Sequence, residues 1–177
     1  PLKRYSRLEK DRKFLSALDS LYAEFTGYMS EKDKMPGPHI AYFSMEYGLE
    51  RSLKIYSGGL GVLSGDHCKS ASDLGIPFTA IGLFYKEGYF SQHINSEGWQ
   101  ETIFTPLNTS NLPIKPALNH KGEEIFISVE LPGRVVYAKV WVVKIGRVNL
   151  YLMDTDIDQN SPHDRGLTAR LYGGNQE

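Results

Sequence analysis

A chain of 177 residues, 41% hydrophobic and 23% charged, has enough apolar side chain for one ordinary core and fits one globular domain or most of one. Its formal net charge of −1 lacks the basic surplus that nucleic acid or an anionic membrane surface calls for, so neither is an expected partner. Cys68 is the only cysteine, which excludes an intrachain disulfide and fits a reducing, cytoplasmic setting, and no apolar run reaches the ~18 residues of a membrane span.

In chain order, residues 11–30 carry Phe14, Leu15, Leu18, Leu21, Tyr22 and Phe25 on one stripe at helical spacing, which predicts an amphipathic helix packed on a partner surface. Met35-Pro36-Gly37-Pro38 ends that segment and leads into a short apolar strand at 39–44. A second helix is expected over about 60–74, closed by Gly75 with Pro77 just beyond, and a second strand over 78–85. Strand, helix and strand in that order predict a right-handed βαβ unit with parallel strands.

After Gly88 the pattern turns to β over 89–94, 124–131, 134–145 and 148–153, with Pro132-Gly133 as hairpin turn chemistry. The stretch 105–120, with three prolines, reads as an ordered surface loop. A last helical pattern runs from about His163 through Leu171 and Tyr172 to the end at Glu177. A chain that starts at Pro1 and stops inside a helical pattern reads as a piece of a longer protein.

The stretch Ser57-Gly58-Gly59-Leu60-Gly61-Val62-Leu63-Ser64-Gly65-Asp66 lies between the first strand and the helix that follows it. Glycine there permits φ > 0 and lets a charged ligand approach the peptide N–H groups, and a helix opening at Leu60 or Gly61 adds orphan donors and a partial positive charge. The stretch is neither a P-loop, since no Gly-Lys-Ser/Thr follows, nor a Gly-x-Gly-x-x-Gly dinucleotide turn. Two readings of these residues stand side by side: a phosphate or sugar-phosphate loop, and a tight turn that uses glycine for close packing.

Ala41-Tyr42-Phe43-Ser44-Met45-Glu46-Tyr47, then Tyr56 to Asp66, then Ser70-Ala71-Ser72-Asp73-Leu74-Gly75 resemble, in that order, the α-glucan phosphorylases. The likeness continues through Gly82-Leu83-Phe84-Tyr85, Gly88-Tyr89-Phe90-Ser91-Gln92, Gly98-Trp99-Gln100, Asp154-Thr155-Asp156 and Thr168 to Gly174. The short link from Ser44-Met45-Glu46 to the glycines is similar to the bacterial and archaeal form, without the helical insertion of the animal enzymes. The resemblance implies an α/β fold: an incomplete Rossmann-like N-terminal domain of a two-domain glycosyltransferase of GT-B type, with β-hairpin additions. It divides the chain into a helical segment at 1–36 and the partial domain at 37–177.

The resemblance also implies the chemistry: orthophosphate and pyridoxal 5′-phosphate release glucose 1-phosphate from the non-reducing end of an α-1,4-glucan. The expected partners are the glucan, orthophosphate, glucose 1-phosphate, the C-terminal domain of the same enzyme and, for the whole enzyme, further copies of itself. The cofactor lysine and the basic residues that bind substrate phosphate lie in the family's C-terminal domain, and Lys54, Lys69 and Lys86 match none of them. By itself, this chain is expected to be inactive. The backbone amides of Gly58, Gly59, Leu60 and Gly61 are expected at the phosphate and glucosyl unit, where fixed donors stabilise developing charge as in an oxyanion hole.

No residue is assigned a catalytic proton-transfer role. Glu46, at the C-terminal end of a predicted parallel strand, is a pocket candidate, with pairing to Arg51 or capping of a neighbouring segment as its structural alternative. Tyr47, Asp66 and Trp99 are further pocket candidates; Asp66 also reads as a helix N-terminal charge partner. Tyr42 and Tyr85 read as core or pocket wall, and Cys68 as a buried small hydrophobe. His67 and His93 lack the partners that a metal site requires, so no metal is expected. A glycogen or starch synthase relative using a nucleotide sugar, and a stand-alone carbohydrate-binding module, remain the competing readings.

Overall fold

The computed structural model describes residues 2–31 and 35–171. Helix α1 spans Leu2–Leu8 and α2 spans Arg12–Ser30. Asp11 caps α2 by accepting from the amides of Lys13 and Phe14, so the helix starts where the sequence places it. It ends at Ser30, before the Pro-Gly-Pro segment. The separate helix α1 was not anticipated.

The apolar stripe of α2 is not covered by any described residue. Leu21 and Phe25 are 63% and 60% exposed, and no residue of the helix is buried. Contact is made at its C-terminal end instead. There the Tyr28 hydroxyl meets Ser72 Oγ at 2.5 Å and donates to Asp73 Oδ1 at 2.9 Å, and the Arg147 guanidinium lies over the Tyr28 ring.

One mixed sheet organises the rest. Strands β1 (Ile40–Phe43), β2 (Phe78–Leu83) and β8 (Val148–Asp154) run parallel, and β8 turns at Gly146-Arg147 from its antiparallel neighbour β7 (Arg134–Ile145). The other edge of β7 is shared by β5 (Ile114–Pro116) and β6 (Phe126–Leu131), the latter through the expected Pro132-Gly133 turn with Gly133 at φ 77°. The expected parallel pair β1–β2 is present, with α3 (Gly59–Leu74) between its strands in sequence. Sequence reading did not join β8 to β2, and so split a continuous sheet into two halves.

Helix α3 closes on Gly75 at φ 65°, whose amide and that of Ile76 return to the Ser72 and Ala71 carbonyls. Its buried side is built of small residues, Gly61, Ser64, Gly65, Cys68, Ala71 and Ser72. That side and the segment carrying Tyr47, Leu53 and Ile55 join the inward residues Phe78, Ala80, Val148, Leu150 and Leu152 in one core. Alternation along β2 and β8 puts every second residue there.

Strands β3 (Ser91–Ile94) and β4 (Gln100–Ile103) form a separate exposed hairpin, and β4 had no counterpart in the sequence reading. The proline-bearing loop contains a 3-10 turn at Thr109–Asn111 besides β5. The last expected helix is only a turn, α4 (Pro162–Arg165), followed by a 3-10 turn at Gly166–Thr168. The helical pattern expected from His163 gives way because the Thr168 and Ala169 carbonyls accept the amides of Lys86 and Glu87, Arg170 bridges to Glu87, and Thr168 Oγ1 accepts the Thr155 amide. Residues 172–177, where that helix would finish, lie outside the described residues.

Candidate functional site

The parallel strands end together, and the segments leaving them carry the site. After β1 the chain runs through Ser44, Met45 and Glu46; after β2 through Phe84 and Tyr85; after β8 through Asp154 to Asp156. This is the end of an open α/β sheet where ligands bind. Tyr85 Oη donates to the Met45 carbonyl at 3.0 Å, tying two of these exits together.

Helix α3 begins at the same end. Gly58 is its N-cap in an extended conformation, φ −140° and ψ −155°, with no side-chain cap, and the Val62 amide closes the first turn on the Gly58 carbonyl at 3.2 Å. The amides of Gly59, Leu60 and Gly61 precede that bond and have no intrahelical acceptor. A Cβ on Gly58 or Gly59 would meet nothing within 4 Å, so the side-chain side of both positions borders free space.

The glycines divide the two roles that their sequence left undecided. None of Gly58, Gly59 and Gly61 has positive φ, so the expected left-handed turn is not what selects glycine here. Gly61 is a packing position: a Cβ there would overlap Tyr56 Cβ and come to 3.0 Å from Glu46 Oε2. Gly65, one turn on, faces the Gly48 carbonyl in the same way, while the Gly48 amide donates to the Gly61 carbonyl at 2.7 Å. Gly58 and Gly59 are the open positions.

Glu46 is 1% exposed. Its Oε2 accepts the Ser57 amide at 3.1 Å, and the Ser57 hydroxyl lies 3.5 Å from Oε1. It therefore caps the segment entering α3. Below it, Ser64 Oγ donates to Ser44 Oγ at 2.8 Å, and Ser44 Oγ donates to the Glu46 carbonyl at 3.0 Å.

The other candidates scatter. Tyr47 is fully buried with its hydroxyl donated to the Tyr42 and Ile81 carbonyls, and burial raises its pKa, so it is core rather than pocket wall. Asp66 lies two turns into α3, beyond the first-turn reach of the helix charge, exposed and 3.8 Å from Lys69; the helix-terminus role does not fit. Trp99 sits in the turn of the exposed β3–β4 hairpin, 70% exposed. Tyr42 packs edge-on to His67 with ring centres 4.8 Å apart and lines a groove; Tyr85 is buried. Among the described residues no three His, Cys, Asp or Glu side chains group as metal ligands.

Two cavities flank the open amides. An apolar groove of about 610 Å³ is walled by Tyr42, Ser44, Leu60, Gly82, Ile127 and Met153. A smaller one of about 240 Å³, walled by Arg51, Lys54, Tyr56, Ser57, Tyr89 and Phe90, places two cations beside Ser57. Sequence reading missed this second cavity, because Tyr89 joins Lys54 only through its amide bond to the Lys54 carbonyl across the fold. A further groove of about 650 Å³ at Trp141, Asp154 and Asp156 contains none of the predicted site residues.

An α/β domain whose parallel strands and glycine-led helix open at one end is a ligand-binding class of fold. Comparison with known proteins narrows it. The chain is 46% identical to maltodextrin phosphorylase of Thermococcus litoralis over 97% of its length, 42% identical to glycogen phosphorylase of Mycobacterium tuberculosis over 98%, and 37% identical to glycogen phosphorylase of Aquifex aeolicus over 92%. It spans 22%, 22% and 24% of those proteins. Residues 1–53 also match a family described as a protein of unknown function, DUF3417. Identity at this level over nearly the whole chain makes it a homologue of the glycogen and maltodextrin phosphorylases, corresponding to about a fifth of their length.

Proposed function

We propose that this chain is the part of an α-1,4-glucan phosphorylase that presents fixed amide donors to the substrate phosphate and its glucosyl unit. The observation that carries the reading is the start of α3: the amides of Gly59, Leu60 and Gly61 have no intrahelical acceptor, and Gly58 and Gly59 border free space on their side-chain side. Donors held in place before reaction lower the barrier to transfer of a group that gathers negative charge. In this reading the whole enzyme uses orthophosphate to release glucose 1-phosphate from glucan ends.

The wider architecture belongs to the same proposal. Residues 37–177 form part of a Rossmann-like domain of a GT-B glycosyltransferase, residues 1–36 a helical segment, and the rest of the enzyme closes the cleft. The described lysines are exposed or half-buried, so this part of the enzyme alone desolvates none of them for a Schiff base with pyridoxal 5′-phosphate. The cofactor's lysine is assigned to the remaining part of the enzyme, and this chain alone is inactive. No helix among the described residues is long and apolar enough to cross a membrane; a cytoplasmic, self-associating enzyme is the proposed setting.

Donor choice tests the reading. Full-length protein offered maltodextrin with orthophosphate should release glucose 1-phosphate, and should not extend the glucan from ADP-glucose or UDP-glucose. Extension from a nucleotide sugar, without phosphorolysis, would move the chain to the synthase-like reading.

A further inference from the structure

We infer that Glu46 is a positioning residue, whose buried carboxylate holds the segment entering α3 so that the amides of Gly59, Leu60 and Gly61 point at one place. This rests on the phosphorylase reading for what the amides bind, though not for how they are held.

The α3 N-cap, Gly58, has no side chain to fix it, and no atom lies within 4 Å of where a Cβ of Gly58 or Gly59 would stand. Two consecutive glycines in open space have the widest conformational freedom of any dipeptide, so donors placed on them need an external anchor. Glu46 supplies it on the side that enters the glycines. Its Oε2 takes the Ser57 amide at 3.1 Å, and its carboxylate fills the space beside Gly61, 3.0 Å from where a Cβ would stand.

The backbone that carries the carboxylate is itself held. Ser44 Oγ donates to the Glu46 carbonyl, Tyr85 Oη donates to the Met45 carbonyl, and Glu46 is 1% exposed. The end of β1 is thereby coupled to the first turn of α3.

The test uses full-length protein carrying Glu46→Ala, Glu46→Gln or Glu46→Asp, with hydrogen exchange of the 57–62 peptide and the KM for orthophosphate and for maltodextrin as readouts. Glutamine keeps an oxygen acceptor for the Ser57 amide; alanine removes it, and aspartate keeps the charge but withdraws the oxygen by one methylene. Glu46→Ala should speed exchange over 57–62 and raise the orthophosphate KM by about 10-fold, the upper end for one lost hydrogen bond, with the glucan KM within about twofold. Glu46→Gln should restore both. If alanine prevents folding, Glu46→Asp decides, with the same two changes expected.

Unchanged exchange, an unmoved orthophosphate KM, or a glutamine variant as impaired as alanine would overturn the inference; the last would mean that the charge acts directly on the reaction. Wild-type protein without phosphorolysis would refute the proposed function instead, and the exchange of 57–62 would still decide whether Glu46 anchors the amides.

Discussion

A side chain on Gly65 would occupy the space of the Gly48 carbonyl oxygen, so the segment leaving β1 lies directly on the backbone of α3. The approach continues one turn earlier, where the Gly48 amide donates to the Gly61 carbonyl at 2.7 Å. Gly65→Ala should therefore cost at least about 3 kcal/mol, the upper end for overpacking, because the obstacle is backbone rather than a movable side chain. Gly59→Ala meets nothing within 4 Å at a helical position and should leave stability unchanged or raise it by about 0.4–1 kcal/mol. Denaturant unfolding of the two variants checks the contrast, which a turn built for packing alone would not show.

Cys68 is fully buried in the core face of α3, and burial pushes its thiol up to about 11. At pH 8 about one thiol in a thousand is then ionised, and access is closed as well. A disulfide reagent should leave Cys68 unmodified in native protein at pH 8 and label it fully in denaturant. Rapid native labelling would mean that α3 opens away from the sheet.

Asp156 takes Lys86 Nζ at 2.5 Å and Arg165 Nη2 at 2.7 Å, and these hydrogen bonds hold its carboxyl below the ordinary 3.8. A carboxylate with a depressed folded pKa stabilises above the unfolded value and loses that contribution as pH falls through the folded one. Stability gained from Asp156 is thus present from about pH 4 upward and disappears below it. Both cations are partly solvated, so the contribution is about 1 kcal/mol. Asp156→Asn should flatten the acid limb of a stability–pH curve by that amount and leave wild type and variant alike once the pH has fallen below the depressed folded pKa.

Tyr28 carries the docking of α2, since the rest of its apolar stripe has no cover among the described residues. Tyr28→Phe removes both hydroxyl contacts while keeping the ring under Arg147. Hydrogen exchange in residues 12–30 should rise by severalfold in the variant, with exchange in α3 unchanged. An equal rise in α3 would show that the two helices open as one unit.

How much of this was legible in the sequence depended on the range of the signal. Local chemistry read well: Asp11 as the start of α2, Gly75 as the stop of α3, and Pro132-Gly133 as the turn between β6 and β7 all act within a few residues. Pairing over distance did not. Nothing in residues 148–153 tells β8 that its other neighbour is β2, some 70 residues earlier, and the Ser57 amide reaches Glu46 across 11 residues of irregular chain. Periodicity also misled where a distant partner intervened, as when residues 168–170 pair with Lys86 and Glu87 instead of continuing the helix expected from His163 onward. For the glycines, the sequence carried the residue type and the structure divided the tasks, with Gly61 and Gly65 packed against backbone and side chains and Gly58 and Gly59 left open.

The central claim is that open amides at Gly58 to Gly61 serve a phosphorolytic site, and the most direct measurement is orthophosphate-dependent release of glucose 1-phosphate from maltodextrin by full-length wild-type protein and by Gly59→Val. The account predicts a folded variant, because a Cβ at position 59 meets nothing, with a rate lowered by on the order of 10²-fold because the valine side chain fills the space in which the ligand approaches the amides and puts an oxyanion-type donor out of reach. Release by Gly59→Val at the wild-type rate would contradict it.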